Sequence, residues 1–213
     1  MMAVQLLESW LLQEQSKVQD KYRELNALCL REPEIIFAGD SIVEYFPLQE
    51  LLLTNKMVVN RGVRGYQSSQ LLEHRTLHFF GQNLEQIVLL IGTNDLGKEV
   101  PLDQTLANLE QLFYLLQHDY PLVEITLLSV LPVFESEETK SKLYTRSNPE
   151  IQKMNQAYEL LAQRFPQVNY VDVASALMDE QGQLKKSFTT DGLHLTVTGY
   201  ACLVKALQPY LPR

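Results

Sequence analysis

The chain has 213 residues, 46% of them apolar, enough to bury the core of one domain without disulfides or a structural metal. Its net charge of −8, from 18 basic and 26 acidic side chains, argues against a broad nucleic-acid footprint or attraction to an anionic membrane surface. The two cysteines, Cys29 and Cys202, belong to no CxxC or Cys/His cluster, so buried thiols are expected.

From Val4 to Leu30, apolar residues such as Leu7, Leu11, Val18, Tyr22, Leu25 and Cys29 recur near helical spacing with charges between them, which predicts one long amphipathic helix. The stretch lacks a basic n-region and is interrupted by Glu8, Gln13, Glu14 and Gln15. No signal peptide or spanning helix is therefore expected, and the protein reads as cytoplasmic. Glu32-Pro33 closes the helix. The expected organisation is an N-terminal helix over 1–33 packed on a single globular unit over 34–213.

Five short apolar runs follow: Glu34 to Ala38, Met57 to Asn60, Ile87 to Ile91, Ile125 to Val130 and Val168 to Asp172. Each is too brief for a helix and rich in strand formers. Helical patterns separate them at Ser68–His78, Leu102–Gln117 and Pro149–Phe165, the last with Asn148 as expected N-cap and Pro149 in the first turn. A final helix begins near Thr196. Continuous apolar strands alternating with helices predict an α/β fold whose parallel sheet is covered on both faces. The polar stretch Phe134–Ser147 is long for a connection in such a fold, which makes it a candidate active-site loop.

Four motifs stand in chain order: Gly39-Asp40-Ser41, Asn60-Arg61-Gly62-Val63-Arg64-Gly65, Gly92-Thr93-Asn94-Asp95 and Asp191-Gly192-Leu193-His194. The first three lie just past the carboxyl ends of predicted strands, the edge along which open parallel sheets bind ligands. In the flavodoxin-like order 2-1-3-4-5 the strand order reverses between strands one and three, so Ser41 and Asn94 would flank that point. A serine hydroxyl needs a base, and the base needs a third group to hold its tautomer. Three residues apart on one turn, Asp191 and His194 can supply both. The oxyanion then needs uncharged donors, which the Ser41 N–H, the Gly65 N–H and the Asn94 side-chain amide provide.

On these motifs the chain from about Ile35 onward resembles the SGNH (GDSL-type) hydrolases, whose signature Ser, Gly, Asn and His are matched by Ser41, Gly65, Asn94 and His194. Ala38-Gly39-Asp40-Ser41, Ile91-Gly92-Thr93-Asn94 and Asp191 to Thr196, with the preceding amphipathic helix, are similar to the platelet-activating-factor acetylhydrolase-like branch. The resemblance implies a three-layer flavodoxin-like fold and cleavage of acyl esters through an acyl-serine, with neither metal nor cofactor. It also marks a departure: many members carry Gly-Gly-Asp where this chain has Arg64-Gly65-Tyr66.

Other residues have competing readings. Asp40 is either a cap or a residue shaping the site. His74 and His78 have the spacing of a helical metal pair but no third ligand, so an ordinary helix face is expected. Asp172 is expected to cap a loop or helix. Arg61 and Arg64 either meet a negatively charged substrate, hold the loop, or are solvated charges, the last being favoured. The first helix is either packing or a homodimer interface. The function expected is a serine esterase on short-chain acyl esters, acetyl foremost, with Ser41, Asp191 and His194 catalytic. Alternatives are an acyltransferase or thioesterase on the same triad, and a non-catalytic flavodoxin-like binding module.

Overall fold

The computed structural model describes residues 2–212, with side chains at 6 and from 8 onward, so Leu7 of the expected helical stripe lies outside the described side chains. The chain begins with α1 (Met2–Leu28), β1 (Ile35–Gly39), α2 (Ser41–Glu44), α3 (Leu48–Leu51), β2 (Val58–Gly62), α4 (Ser68–Glu73) and α5 (Arg75–His78). It continues through β3 (Gln86–Leu90), α6 (Thr93–Gly97), α7 (Leu102–Asp119), β4 (Glu124–Leu128) and α8 (Lys140–Leu143). The last elements are α9 (Asn148–Ala162), β5 (Val168–Val171), α10 (Ala174–Leu177) and α11 (Val197–Leu207). The sheet order is β2-β1-β3-β4-β5, every pair parallel. This is the expected doubly covered sheet, with the reversal of strand order between β1 and β3.

The central strands are apolar throughout because both of their faces are buried. Ile36 and Ala38 of β1 face a core completed by Tyr22, Leu71, Leu109, Phe113, Met154 and Tyr158. Ile35 and Phe37 face the opposite core, closed by Ile42, Leu177, Tyr200 and Leu203. The sheet is thus the middle of three layers, with α1, α4, α5, α7 and α9 on one side and α2, α3, α10 and α11 on the other.

Three local expectations are corrected. The Ser68–His78 pattern is broken at His74, where the chain turns so that Leu77 and His78 go into the interior. The N-cap position of α9 is Ser147, not Asn148. Asn148 is drawn instead to a distant peptide, accepting from Val133 N–H at 3.0 Å and donating to Val133 C=O at 2.9 Å. The thiols of Cys29 and Cys202 are free and half-buried rather than buried.

Helix α1 adheres through polar residues as much as through its apolar stripe, in which Leu25 is exposed. Gln15 donates to Arg64 C=O (2.9 Å), Gln19 to Tyr66 Oη (2.7 Å) and Tyr22 Oη to Gly62 C=O (2.7 Å). At successive helical turns, these residues grip the segment leaving β2. No helix among the described residues is long and apolar enough to cross a membrane.

Candidate active site

Ser41 opens the single turn α2 directly after β1. The turn is nucleated by Asp40, whose Oδ1 accepts the Ile42 N–H at 2.9 Å, an N-cap contact. The start of a helix presents its first N–H groups without intrahelical partners. Neither Ser41 N–H nor Gly65 N–H meets a protein acceptor among the described residues.

Ser41, His194 and Asp191, the residues expected as nucleophile, base and acid, come together although Ser41 and His194 are 153 residues apart. Ser41 Oγ lies 2.9 Å from His194 Nε2, and His194 Nδ1 lies 2.7 Å from Asp191 Oδ2. An ionised Asp191 can only accept, which assigns the proton to Nδ1 and leaves the Nε2 lone pair facing the hydroxyl. Asp191 also builds the turn that carries His194, its Oδ1 accepting the Leu193 and His194 N–H groups at 2.9 and 2.8 Å. Burial alone would raise its pKa, but the His194 ring and these two N–H groups together hold the carboxyl well below the ordinary carboxylate range. Tyr45 stands beside the base, its ring centroid 5.5 Å from that of His194.

Gly65 has φ +74° and lies beneath α1: a Cβ there would be 2.8 Å from Leu11 Cδ2 and 3.1 Å from Gln15 Nε2. The backbone conformation calls for glycine, while the helix would meet a Cβ only with the side-chain ends of Leu11 and Gln15. Asn94 is the second residue of α6. Its Nδ2 donates to Tyr66 C=O at 2.9 Å, and its Oδ1 accepts from Arg146 Nη2 at 2.8 Å. The following residue, Asp95, is fully buried and fastens α6 to α4 by accepting the Ser68 N–H (3.0 Å) and hydroxyl. Asn108 completes that network from α7 with a 2.9 Å bond to Ser68 Oγ. Ser41, Gly65, Asn94 and His194 thus stand on four segments at the carboxyl edge of the sheet.

The remaining candidates fall into place. Asp40 acts as the cap; its Oδ2 is buried without a partner among the described residues, and burial pushes its pKa up to about 7. Asp172 Oδ1 accepts the Ser175 N–H at 3.1 Å and so caps the turn leading into α10. His78 is buried with Nδ1 2.8 Å from Arg61 C=O, and burial lowers its pKa to about 4. The solvated reading of Arg61 is overturned. It is 5% exposed, stacked 4.7 Å from the Tyr22 ring and 5.0 Å from the Phe80 ring, and donates to Asn26 Oδ1. Arg64 is half-buried and engaged by Glu44, with Nε to Oε1 at 3.0 Å.

The 134–147 segment holds the site from behind. Phe134 N–H donates to Gly192 C=O at 2.9 Å, steadying the turn before His194. Arg146 reaches Thr93 C=O at 2.7 Å and Leu143 C=O at 3.1 Å in addition to Asn94. Sequence reasoning missed Arg146 and Gln15, for neither stands in a motif. The one available signal was Arg146's position at the end of a loop too long to be a mere connection.

Residues 37–202 match the model of the GDSL-like Lipase/Acylhydrolase family. A solved structure from Streptococcus pneumoniae, provisionally described as a platelet activating factor, is 56% identical, with a TM-score of 0.97 over 99% of each chain. Human platelet-activating factor acetylhydrolase IB subunit alpha1 is 24% identical over 192 residues, 86% of this chain and 77% of that protein. A catalytic mutant of an acetylxylan esterase from Geobacillus stearothermophilus, 18% identical, shares the fold with a TM-score of 0.64 over 83% of this chain and 93% of that one.

Proposed function

Because the chain belongs to the GDSL-like lipase/acylhydrolase family and is a carboxylic ester hydrolase, we propose that it cleaves short-chain acyl esters, acetyl foremost, through an acyl-serine on Ser41. The observation that carries this reading is the continuous chain of contacts Ser41 Oγ–His194 Nε2 (2.9 Å) and His194 Nδ1–Asp191 Oδ2 (2.7 Å). His194 Nε2 takes the hydroxyl proton as Ser41 Oγ attacks the ester carbonyl carbon, and Asp191 stabilises the resulting imidazolium. The carbonyl oxygen becomes an oxyanion held by the Ser41 and Gly65 N–H groups and Asn94 Nδ2. Collapse breaks the bond to the alcohol oxygen, which leaves with the proton from His194. Water then gives a proton to the same nitrogen while attacking the acyl-serine, and the second collapse releases the acid and restores Ser41.

The preference for acetyl draws its support from two similar proteins whose names specify removal of acetyl groups, the human acetylhydrolase subunit and the acetylxylan esterase. A fluorophosphonate probe followed by peptide mapping tests the nucleophile, and an ester panel of increasing acyl length tests the substrate. Labelling confined to Ser41, lost in Ser41→Ala, and kcat/KM falling with chain length are expected. Turnover surviving in Ser41→Ala overturns the mechanism; a preference for long chains overturns the substrate assignment alone.

A further inference from the structure

The structure assigns Arg146 as the positioning residue of the oxyanion asparagine, an inference that rests on the reading of Asn94 as an oxyanion donor. A carboxamide has nearly isosteric ends, one donating and one accepting. An Asn whose oxygen faced a developing oxyanion would oppose the reaction. Among the described residues two contacts decide which end faces where: Nδ2 to Tyr66 C=O at 2.9 Å and Arg146 Nη2 to Oδ1 at 2.8 Å. Arginine carries donors only, so a flipped amide would set donor against donor at Arg146 and acceptor against acceptor at Tyr66. With Oδ1 held and one Nδ2 hydrogen on Tyr66, the second hydrogen is left for the reaction.

Arg146 is itself held by its surroundings. Its guanidinium bonds three oxygens, Thr93 C=O and Asn94 Oδ1 at the start of α6 and Leu143 C=O at the end of α8. That is a planar fork geometry a lysine cannot reproduce. Helix α6 leaves a notch for it at Gly97, where a Cβ would fall 2.3 Å from Arg146 Cζ. Tyr144 lies over the group at 5.9 Å in a backbone of φ +56°, unusual for a residue with a side chain. Arg146 is 8% exposed, and each of its recorded partners is a neutral oxygen. The cation therefore sits in a low-dielectric site behind the amide, where it strengthens the Nδ2 donor as negative charge develops on the substrate.

The test measures kcat and KM on p-nitrophenyl acetate, with urea unfolding as a fold control, for Asn94→Ala, Arg146→Ala, Arg146→Lys, Gly97→Ala and the Asn94/Arg146 double alanine. Gly97→Ala displaces the guanidinium without removing it, and so carries the test if Arg146→Ala fails to fold. Arg146→Ala and Gly97→Ala should lower kcat by about tenfold to a hundredfold, with KM within about twofold and the pH midpoint of kcat/KM unmoved, since Asp191 and His194 are untouched. The double variant should be no slower than Asn94→Ala. Added guanidinium, but not methylammonium, should restore part of the activity of Arg146→Ala. Full kcat in both Arg146→Ala and Gly97→Ala, or additive losses in the double variant, overturns the inference while leaving the esterase reading intact. Full kcat in Asn94→Ala overturns the oxyanion reading on which it rests.

Discussion

Replacing Gly65 by alanine tests whether helix α1 helps to build the proposed oxyanion loop. The residue has φ +74°, where an L side chain costs about 1–2 kcal/mol. The new Cβ would also stand 2.8 Å from Leu11 Cδ2, and turning that half-buried side chain aside costs roughly 0.5–1.5 kcal/mol. Together they predict a loss of about 1.5–3.5 kcal/mol, or roughly 4–12 °C in Tm for a chain of this size. Displacement of the N–H should lower kcat by about a hundredfold or more. The two contributions separate in a double-mutant cycle with Leu11→Ala, which removes the shortest contact and leaves the backbone strain and the 3.1 Å approach of Gln15. Urea unfolding of the four proteins should show Gly65→Ala costing about 1 kcal/mol less in the Leu11→Ala background than alone. Gly65→Ala with wild-type stability would refute the backbone argument, and strictly additive losses would refute the claim that α1 presses on the loop.

The buried carboxyl of Asp40 predicts an inverted pH dependence. With its folded pKa raised from 3.8 to about 7 by burial, the folded state holds this proton more tightly, so its contribution to stability is full below about pH 4 and declines until about pH 7. His78, lowered from 6.5 to about 4 by burial, acts in the opposite sense, its contribution being lost as pH falls through that window. Asp40→Asn should therefore gain stability relative to wild type between pH 4.5 and 8, and its own urea midpoint should rise from pH 4.5 to 6.5; a constant offset from wild type would show the reasoning to be wrong. Arg64→Ala breaks the half-buried pair with Glu44 and should cost about 1 kcal/mol or less. Since Glu44 already neutralises the guanidinium, KM for anionic and neutral esters should move together, and a selective rise for the anionic ester would restore Arg64 as a substrate contact.

The features legible in the sequence are those encoded by nearby residues. Strand runs announce themselves because both sheet faces are buried, and Asp191 and His194 stand three residues apart, so one turn both pairs and orients them. What the sequence hid are polar contacts whose partners lie far along the chain. Gln15 reads as a charge-flanked surface residue of an amphipathic helix, yet it is 3% exposed and bonded to Arg64 C=O 49 positions on. Arg61 reads as a solvated cation because nothing local reveals the Tyr22 and Phe80 rings against it. Asn148 misleads for the same reason, since two bonds to the Val133 peptide outcompete a single cap contact. The two halves of the site therefore differ in kind. The acid–base half is one short turn, braced by Phe134 N–H on Gly192 C=O and meeting Ser41 through His194, whereas the proposed oxyanion half is held by α1 through Gln15, by α4 and α7 through Asp95, and by the 134–147 segment through Arg146. Substitutions far from the substrate should consequently lower kcat through the proposed oxyanion donors more often than through Asp191 and His194.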